Sequence, residues 1–319
     1  MSNCGSCPSK GECNKDQQSC GIQNNPLNKI KKIIGIMSGK GGVGKSTVSA
    51  LIARNLAKQG YKVGVLDADI TGPSIPRLLG VKDAKAMGAP NNCIYPVQSA
   101  DGIKVMSLNL LLEDENQPVI WRGAMISNTV KQFYTDVIWG ELDYLLIDMP
   151  PGTGDVALTV MQSIPINGIV MVSVPQDMVS MIVAKAVNMV KKLNIEIIGL
   201  VENMSYIVCP DCGKKIQIFN GNDTTKLLDD LQLNLLGTLP MNAGLGNVSV
   251  GVYKDGDEEV EGLFNPIVIN LLNSLKEIEA KKHRLNINSI WKKLYLSTVL
   301  DEYNFFLIIQ YSSKYNLIW

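Results

Sequence analysis

Gly39-Lys40-Gly41-Gly42-Val43-Gly44-Lys45-Ser46-Thr47 follows a short apolar run, Ile33 to Met37, and leads into Val48-Ser49-Ala50-Leu51-Ile52-Ala53. Gly39 to Ser46 fit G-x-x-x-x-G-K-[ST], a loop whose backbone N–H groups close around a phosphate. Glycines let that backbone turn inward without Cβ clashes. Lys45 offers a point charge to β- and γ-phosphates, Ser46 offers a hydroxyl to Mg²⁺, and the following helix points its positive end at the anion. Thiols are the second chemical group. Of seven cysteines, Cys4, Cys7, Cys13 and Cys20 crowd the first twenty residues, Cys209 and Cys212 make a Cys-Pro-Asp-Cys turn, and Cys93 stands alone. Clustered cysteines without an export signal suggest metal ligation over disulfides.

The two thiol groups pose different problems. Cys4, Cys7, Cys13 and Cys20, at Cys-x2-Cys-x5-Cys-x6-Cys, could close around one Fe–S cluster or one Zn²⁺. Cys209 and Cys212 alone cannot, because either centre takes about four ligands. Their partners come from the leader folding over, or from the same pair on a second subunit across a two-fold axis.

Carboxylates mark the ends of strand-like runs. Lys62 to Asp69 ends in Asp67 and Asp69, and Asp143 to Asp148 ends in Asp148. In an open parallel sheet the carboxyl ends of strands line the ligand crevice, which brings these acids beside the phosphate loop. Asp148 suits Mg²⁺ together with Ser46. Asp69 is the first candidate to orient or deprotonate an attacking water and Asp67 the second; either could instead cap a helix or sit behind the Mg²⁺. Asp69 to Ser74 and Pro150 to Asp155 read as switch loops, and Gly152 and Gly154 could present N–H groups to a γ-phosphate.

The elements that must carry these groups alternate. Helical spacing runs from Lys45 to Gln59, from just after Trp121-Arg122-Gly123 to about Trp139, from Ser180 to Leu193, near Thr224 to Leu231, and from Pro266 to about Lys282. Met125, Val130, Phe133, Tyr134 and Val137 are expected core contacts. Strand-like runs also occupy Gly168 to Ser173, Ile197 to Glu202 and Leu235 to Pro240, with a hairpin about Asp101-Gly102. The pattern predicts an α/β fold, a mostly parallel central sheet with helices on both faces. Residues 1–28 form a polar, Cys-rich leader without a fold of its own, 29–282 the domain, and 283–319, which lack Gly, Pro and Ala, an appendage.

A formal net charge of zero argues against capture of nucleic acid by bulk charge. No apolar run approaches the roughly 18 residues of a membrane span, and the N-terminus is not a signal peptide, so the expected location is the cytoplasm.

Lys40 beside the first glycine resembles the deviant Walker A loop of the MinD/ParA superfamily, in which such a lysine reaches the partner subunit's nucleotide. Together with Asp69 to Ser74, Asp148 to Asp155 and Cys209 to Cys212, the chain resembles the Mrp/ApbC-type iron–sulfur cluster carriers. That resemblance implies a homodimer using ATP and Mg²⁺, with slow hydrolysis and Lys40 and Lys45 at the transferred phosphate. Gly39, Lys40, Gly41, Gly42, Val43, Gly44, Lys45, Ser46, Thr47, Asp67 and Asp148 would form the nucleotide site. It also implies a [4Fe–4S] cluster bridged by Cys209 and Cys212 of two subunits and passed to apo-proteins, with a second cluster at the leader. Cys4, Cys7 and Cys13 match the Cys-x2-Cys-x5-Cys unit of relatives, but Cys20 lies on the other side of it. Asn203 would contact adenine, since an amide pairs a donor with an acceptor; otherwise it forms a turn. The rivals are a metal-free positioning ATPase of the MinD/ParA kind and a zinc-stabilised NTPase.

Overall fold

Ile33–Ser38 are six consecutive buried residues, and apolar side chains on both faces of a strand require neighbours above and below it. In the computed structural model, which describes residues 25–114, 120–175, 177–218, 222–241, 245 and 258–298, that segment belongs to β1 (Lys29–Ser38) at the centre of the sheet. The other strands are β2 (Val63–Asp67), β3 (Met87–Ala89), β4 (Cys93–Tyr95), β5 (Val97–Gln98), β6 (Lys104–Met106), β7 (Glu141–Asp148), β8 (Gly168–Ser173), β9 (Ile197–Val208), β10 (Lys215–Gln217) and β11 (Leu235–Pro240). Among the described residues the main sheet runs β10-β9-β8-β1-β7-β2-β6-β5, with β11 also paired to β9, while β3 and β4 form a separate hairpin. The neighbours of β1, β2, β7 and β8 are all parallel.

The helices are α1 (Lys45–Lys58), α2 (Ile75–Leu78), α3 (Gly123–Thr135), α4 (Asp155–Ser163), α5 (Asp177–Lys192), α6 (Asn222–Leu231) and α7 (Glu258–Thr298). From β1 the chain steps one way to β2, and from β7 it steps the other way to β8 and β9. Right-handed crossovers then put α1 on one face and α4 with α5 on the other. Winding reverses at β1, so the loop leaving β1 opens at the crevice where such sheets take ligands.

Several boundaries differ from the expectation. α3 stops at Thr135, short of Trp139, which is fully buried with its indole N–H donating to Phe133 O. Met125 is 54% exposed, whereas Val130, Phe133, Tyr134 and Val137 are buried as expected. The segment 25–28, at the end of the expected leader, is tied down: Asn28 Nδ2 donates to Val137 O and Asn25 Nδ2 to Cys93 Sγ. α7 starts at Glu258, contains Pro266 and continues through the boundary placed at 282. Chain contacts define two compact units, Met1–Leu272 and Asn273–Trp319. No helix among the described residues is long and apolar enough to cross a membrane.

Candidate functional site

The phosphate loop hangs between the buried end of β1 and the first turn of α1. Gly44 is the residue before the helix, at φ 82, and its carbonyl accepts the Val48 N–H at 3.0 Å. A Cβ on Gly44 would lie 2.3 Å from Asn203 Nδ2, whereas one on Gly41 would meet nothing within 4 Å. Gly44→Ala should therefore weaken ADP binding about 10-fold or more, since a left-handed alanine alone costs about 1–2 kcal/mol. Gly41→Ala should change it far less. Calorimetric titration of both variants checks the contrast, and equal affinities would refute this geometry.

Behind the loop lies a buried knot of charge. Asp67 and Asp148 are register partners on β2 and β7, and neither is exposed. Lys45 Nζ pairs with Asp148 Oδ2 at 2.7 Å, and Ser46 Oγ donates to the same oxygen at 2.6 Å. Ser49 Oγ donates to Asp148 Oδ1 at 2.6 Å. The sequence reading missed Ser49; its signal was its position one helical turn after Lys45, on the same face. Asp67 accepts from Ser107 Oγ at 3.1 Å, Ile75 N at 3.3 Å and Asp69 N at 3.2 Å. Ser107, too, was missed.

Burial, followed by repulsion from Asp148, pushes the Asp67 carboxyl up to about 8, against the pull of Lys45. A folded-state value raised above the unfolded 3.8 means that the native chain holds a proton the unfolded chain has lost. Stability should therefore fall as pH rises from about 4 to about 8 and level off above. Asp67→Asn should flatten that slope in denaturant titrations; an unchanged slope would assign it to other groups.

Asp69 is half-buried, and its Oδ1 accepts from Thr71 Oγ1 at 3.2 Å. Lys40 is also half-buried, and its carbonyl accepts from Ser38 Oγ at 3.0 Å. Gly152 departs from the expectation: its N–H already donates to Ser38 O at 2.9 Å and ties the second switch loop to β1. Asp155 is the first residue of α4, with Gly154 before it.

Beside Gly42, Gly44 and Thr47 opens a cavity of about 350 Å³ whose far wall is largely apolar, formed by Met204, Leu239, Pro240, Met241 and Phe264 among others. Asn203 lines it as well, and its Nδ2 donates to Val43 O at 2.9 Å. Asn203 was expected to follow a strand ending at Glu202, but lies inside β9, which runs on to Val208. Phe264 could not be assigned from sequence, because nothing local links the start of α7 to the phosphate loop. Of Met241-Asn242-Ala243-Gly244, where the pocket was expected to close, Met241 lines the cavity and the other three lie outside the described residues.

The extra length of β9 carries it to the thiols. β10 pairs antiparallel with Tyr206–Val208, and the hairpin between them is the Cys209–Cys212 turn. Cys209 N donates to Lys214 O at 3.0 Å, Gly213 N to Cys209 O at 2.9 Å, and Lys215 Nζ sits 4.7 Å from the centre of the Tyr206 ring. Both thiols are free; Cys209 is half-exposed and Cys212 exposed. The backbone N–H groups of Cys212 and then Asp211 favour the Cys209 thiolate and hold it below the usual thiol range. Among the described residues no three His, Cys, Asp or Glu side chains gather as metal ligands. Cys4, Cys7, Cys13 and Cys20 lie outside those residues.

Three comparisons bear on this arrangement. A family model described as ParA, NUBPL iron-transfer P-loop NTPase, matches residues 29–268. A protein of Clostridium perfringens named iron-sulfur cluster carrier protein is 50% identical over 258 residues, covering 77% of this chain and 90% of its own length. One of the same name from Methanocaldococcus jannaschii is 50% identical over 245 residues, covering 75% of this chain and 84% of its own. A solved nucleotide-binding protein of Archaeoglobus fulgidus, in complex with ADP, is 43% identical, with a TM-score of 0.62 over 70% of this chain and 87% of that one. The cell division ATPase MinD of Pyrococcus furiosus, 21% identical with a TM-score of 0.56 over 76% of this chain and 99% of that one, shares the fold. Phosphate loop, paired acids and Cys-Pro-Asp-Cys turn all fall inside the matched region, and the chain belongs to the iron-transfer P-loop NTPase family.

Proposed function

We propose that the chain is an ATP-dependent carrier that holds a [4Fe–4S] cluster as cargo between Cys209 and Cys212 of two subunits and hands it to apo-proteins. One observation carries this reading. Two free thiols share an exposed turn, on the same strand that lines the cavity beside the phosphate loop. Two sulfurs are half of a cluster's usual ligand set, and a two-fold axis through the turn supplies the other half. Relatives named iron-sulfur cluster carrier protein, about half identical over most of their length, support it.

The residues divide the work by chemistry. The nucleotide's phosphates would lie in the Gly39–Thr47 loop and its base in the cavity, where Asn203 offers an amide against an apolar wall. The Archaeoglobus fulgidus protein, 43% identical, was solved in complex with ADP, which supports nucleotide binding by this chain. Ser46 and Asp148 present oxygen donors side by side, the ligand type that Mg²⁺ takes. When bound, Mg²⁺ would neutralise charge on the β- and γ-phosphates. Lys45 would release Asp148 and turn to the phosphates, and Lys40 would reach the second subunit's nucleotide. Asp69 is the better group for the water, because Asp67 is fully buried among three donors.

The test is metal analysis of the anaerobically reconstituted full chain with Cys4, Cys7, Cys13 and Cys20 replaced by serine. About four irons and four sulfides per two chains are expected. Stoichiometric zinc, or no metal, overturns the carrier function in favour of a zinc-stabilised NTPase or a metal-free positioning ATPase.

A further inference from the structure

Between its two functional ends β9 is not a regular strand. Glu202 pairs with Thr238 and Tyr206 with Pro240, so Asn203, Met204 and Ser205 stand opposite the single residue Leu239. Met204 adopts φ 55, a left-handed conformation that side chains other than glycine rarely take. The Ser205 hydroxyl donates to Glu202 Oε2, while the buried Glu202 Oε1 has no hydrogen-bond partner among the described residues. A left-handed methionine and an orphaned acceptor two residues apart mark a conformation imposed by its surroundings. Such conformations gather at switching elements.

Those surroundings are the two sites. On one side Asn203 Nδ2 holds Val43 O at 2.9 Å, and the Met204 methyl carbon lies 4.0 Å from where a Gly44 Cβ would stand. Asn203 and Met204 both line the cavity. On the other side the bulge opens onto Tyr206, whose carbonyl accepts from the N–H of Met241, another cavity residue. Tyr206–Val208 are the residues that β10 grips to form the cysteine turn. Extra residues in one strand bend it and raise its twist. Absorbing or releasing the bulge would therefore re-aim Cys209 and Cys212.

From this we infer that the Asn203–Ser205 bulge is the positioning device through which a nucleotide base in the cavity sets the geometry of the cysteine turn. The inference rests on the carrier function proposed above and adds a route separate from the switch loops. Those loops follow β2 and β7 and would sense the γ-phosphate; the bulge senses the base. ADP, without a γ-phosphate, should suffice to move the thiols.

The experiment follows iodoacetamide alkylation of Cys209 and Cys212 in the cluster-free full chain by peptide mass spectrometry, with and without saturating ADP. Cys93 in the same chain serves as the internal reference. In the wild type, ADP should change the Cys209 and Cys212 rates about fivefold or more, the low end of ordinary coupling between sites. Met204→Gly accepts the left-handed conformation without strain, and the bulge then no longer depends on what fills the cavity. The ADP-dependent change should drop below about twofold, which is outside the ordinary range of coupling. Should that chain fail to fold, Ser205→Ala, which removes the donor to Glu202, is read the same way. A wild type indifferent to ADP, or a folded variant that keeps the full change, overturns the assignment. Because no cluster is present, failure to bind iron would sink the carrier function and leave this result standing.

Discussion

Lys45→Met should slow ATP turnover by about 10³-fold or more, the scale of removing a cation that stabilises a transferring phosphoryl group. It should also destabilise the fold. Lys45 and Asp148 form a buried pair, with side chains 7% and 0% exposed, beside the buried carboxyl group of Asp67. Removing one partner of such a pair costs about 3–5 kcal/mol, because the other charge stays behind. Ser46 and Ser49 still donate to Asp148, which favours the lower end. Lys40→Met makes the comparison: with Lys40 acting on the second subunit's nucleotide, turnover falls while stability changes by less than about 1 kcal/mol. Steady-state hydrolysis and urea denaturation read the two effects apart. Undiminished turnover in Lys45→Met would move hydrolysis away from this loop.

Cys209→Ser combined with Cys212→Ser should remove all iron from the turn and abolish transfer to an apo-protein, in the chain whose leader cysteines are already serine. A serine hydroxyl is a poor substitute for a soft thiolate at iron. The fold should not notice: the turn is half-exposed to exposed, and substitutions at such positions usually fall within about 0.5 kcal/mol. Iron and sulfide content, transfer to an apo-enzyme and urea titration are the measurements. Iron retained at wild-type level would place the cluster elsewhere.

The parts of this site that sequence revealed are those in which one residue type has one use. Gly39 to Ser46 and the acids ending β2 and β7 were legible because a buried apolar run that stops at a carboxylate beside a glycine loop has few other purposes. β9 was half legible. Ile197 to Glu202 is a continuous apolar run, but Asn203-Met204-Ser205 resembles a loop, and the strand resumes only because β10 and β11 grip Tyr206. Pairing partners far along the chain decide such a segment, and periodicity does not see them. Phe264 and Ser107 join the site through tertiary packing, with no local mark. Trp139 lies off the apolar face of α3 set by Val130, Phe133 and Tyr134; the helix ends at Thr135, and the Trp139 indole N–H donates back to Phe133 O.

The unusual reach of β9 has a mechanical result. From Met204 the strand runs on to Val208 and Cys209 follows at once, five residues and an arm of about 17 Å at the ordinary rise. A pivot of about 10° at the inner end would sweep the sulfurs by about 3 Å, more than an iron–sulfur bond and more than metal–ligand geometry tolerates. On the proposed carrier function, a lever of that length would let a small adjustment beside the purine decide whether two facing pairs of sulfurs grasp one inorganic core or let it go.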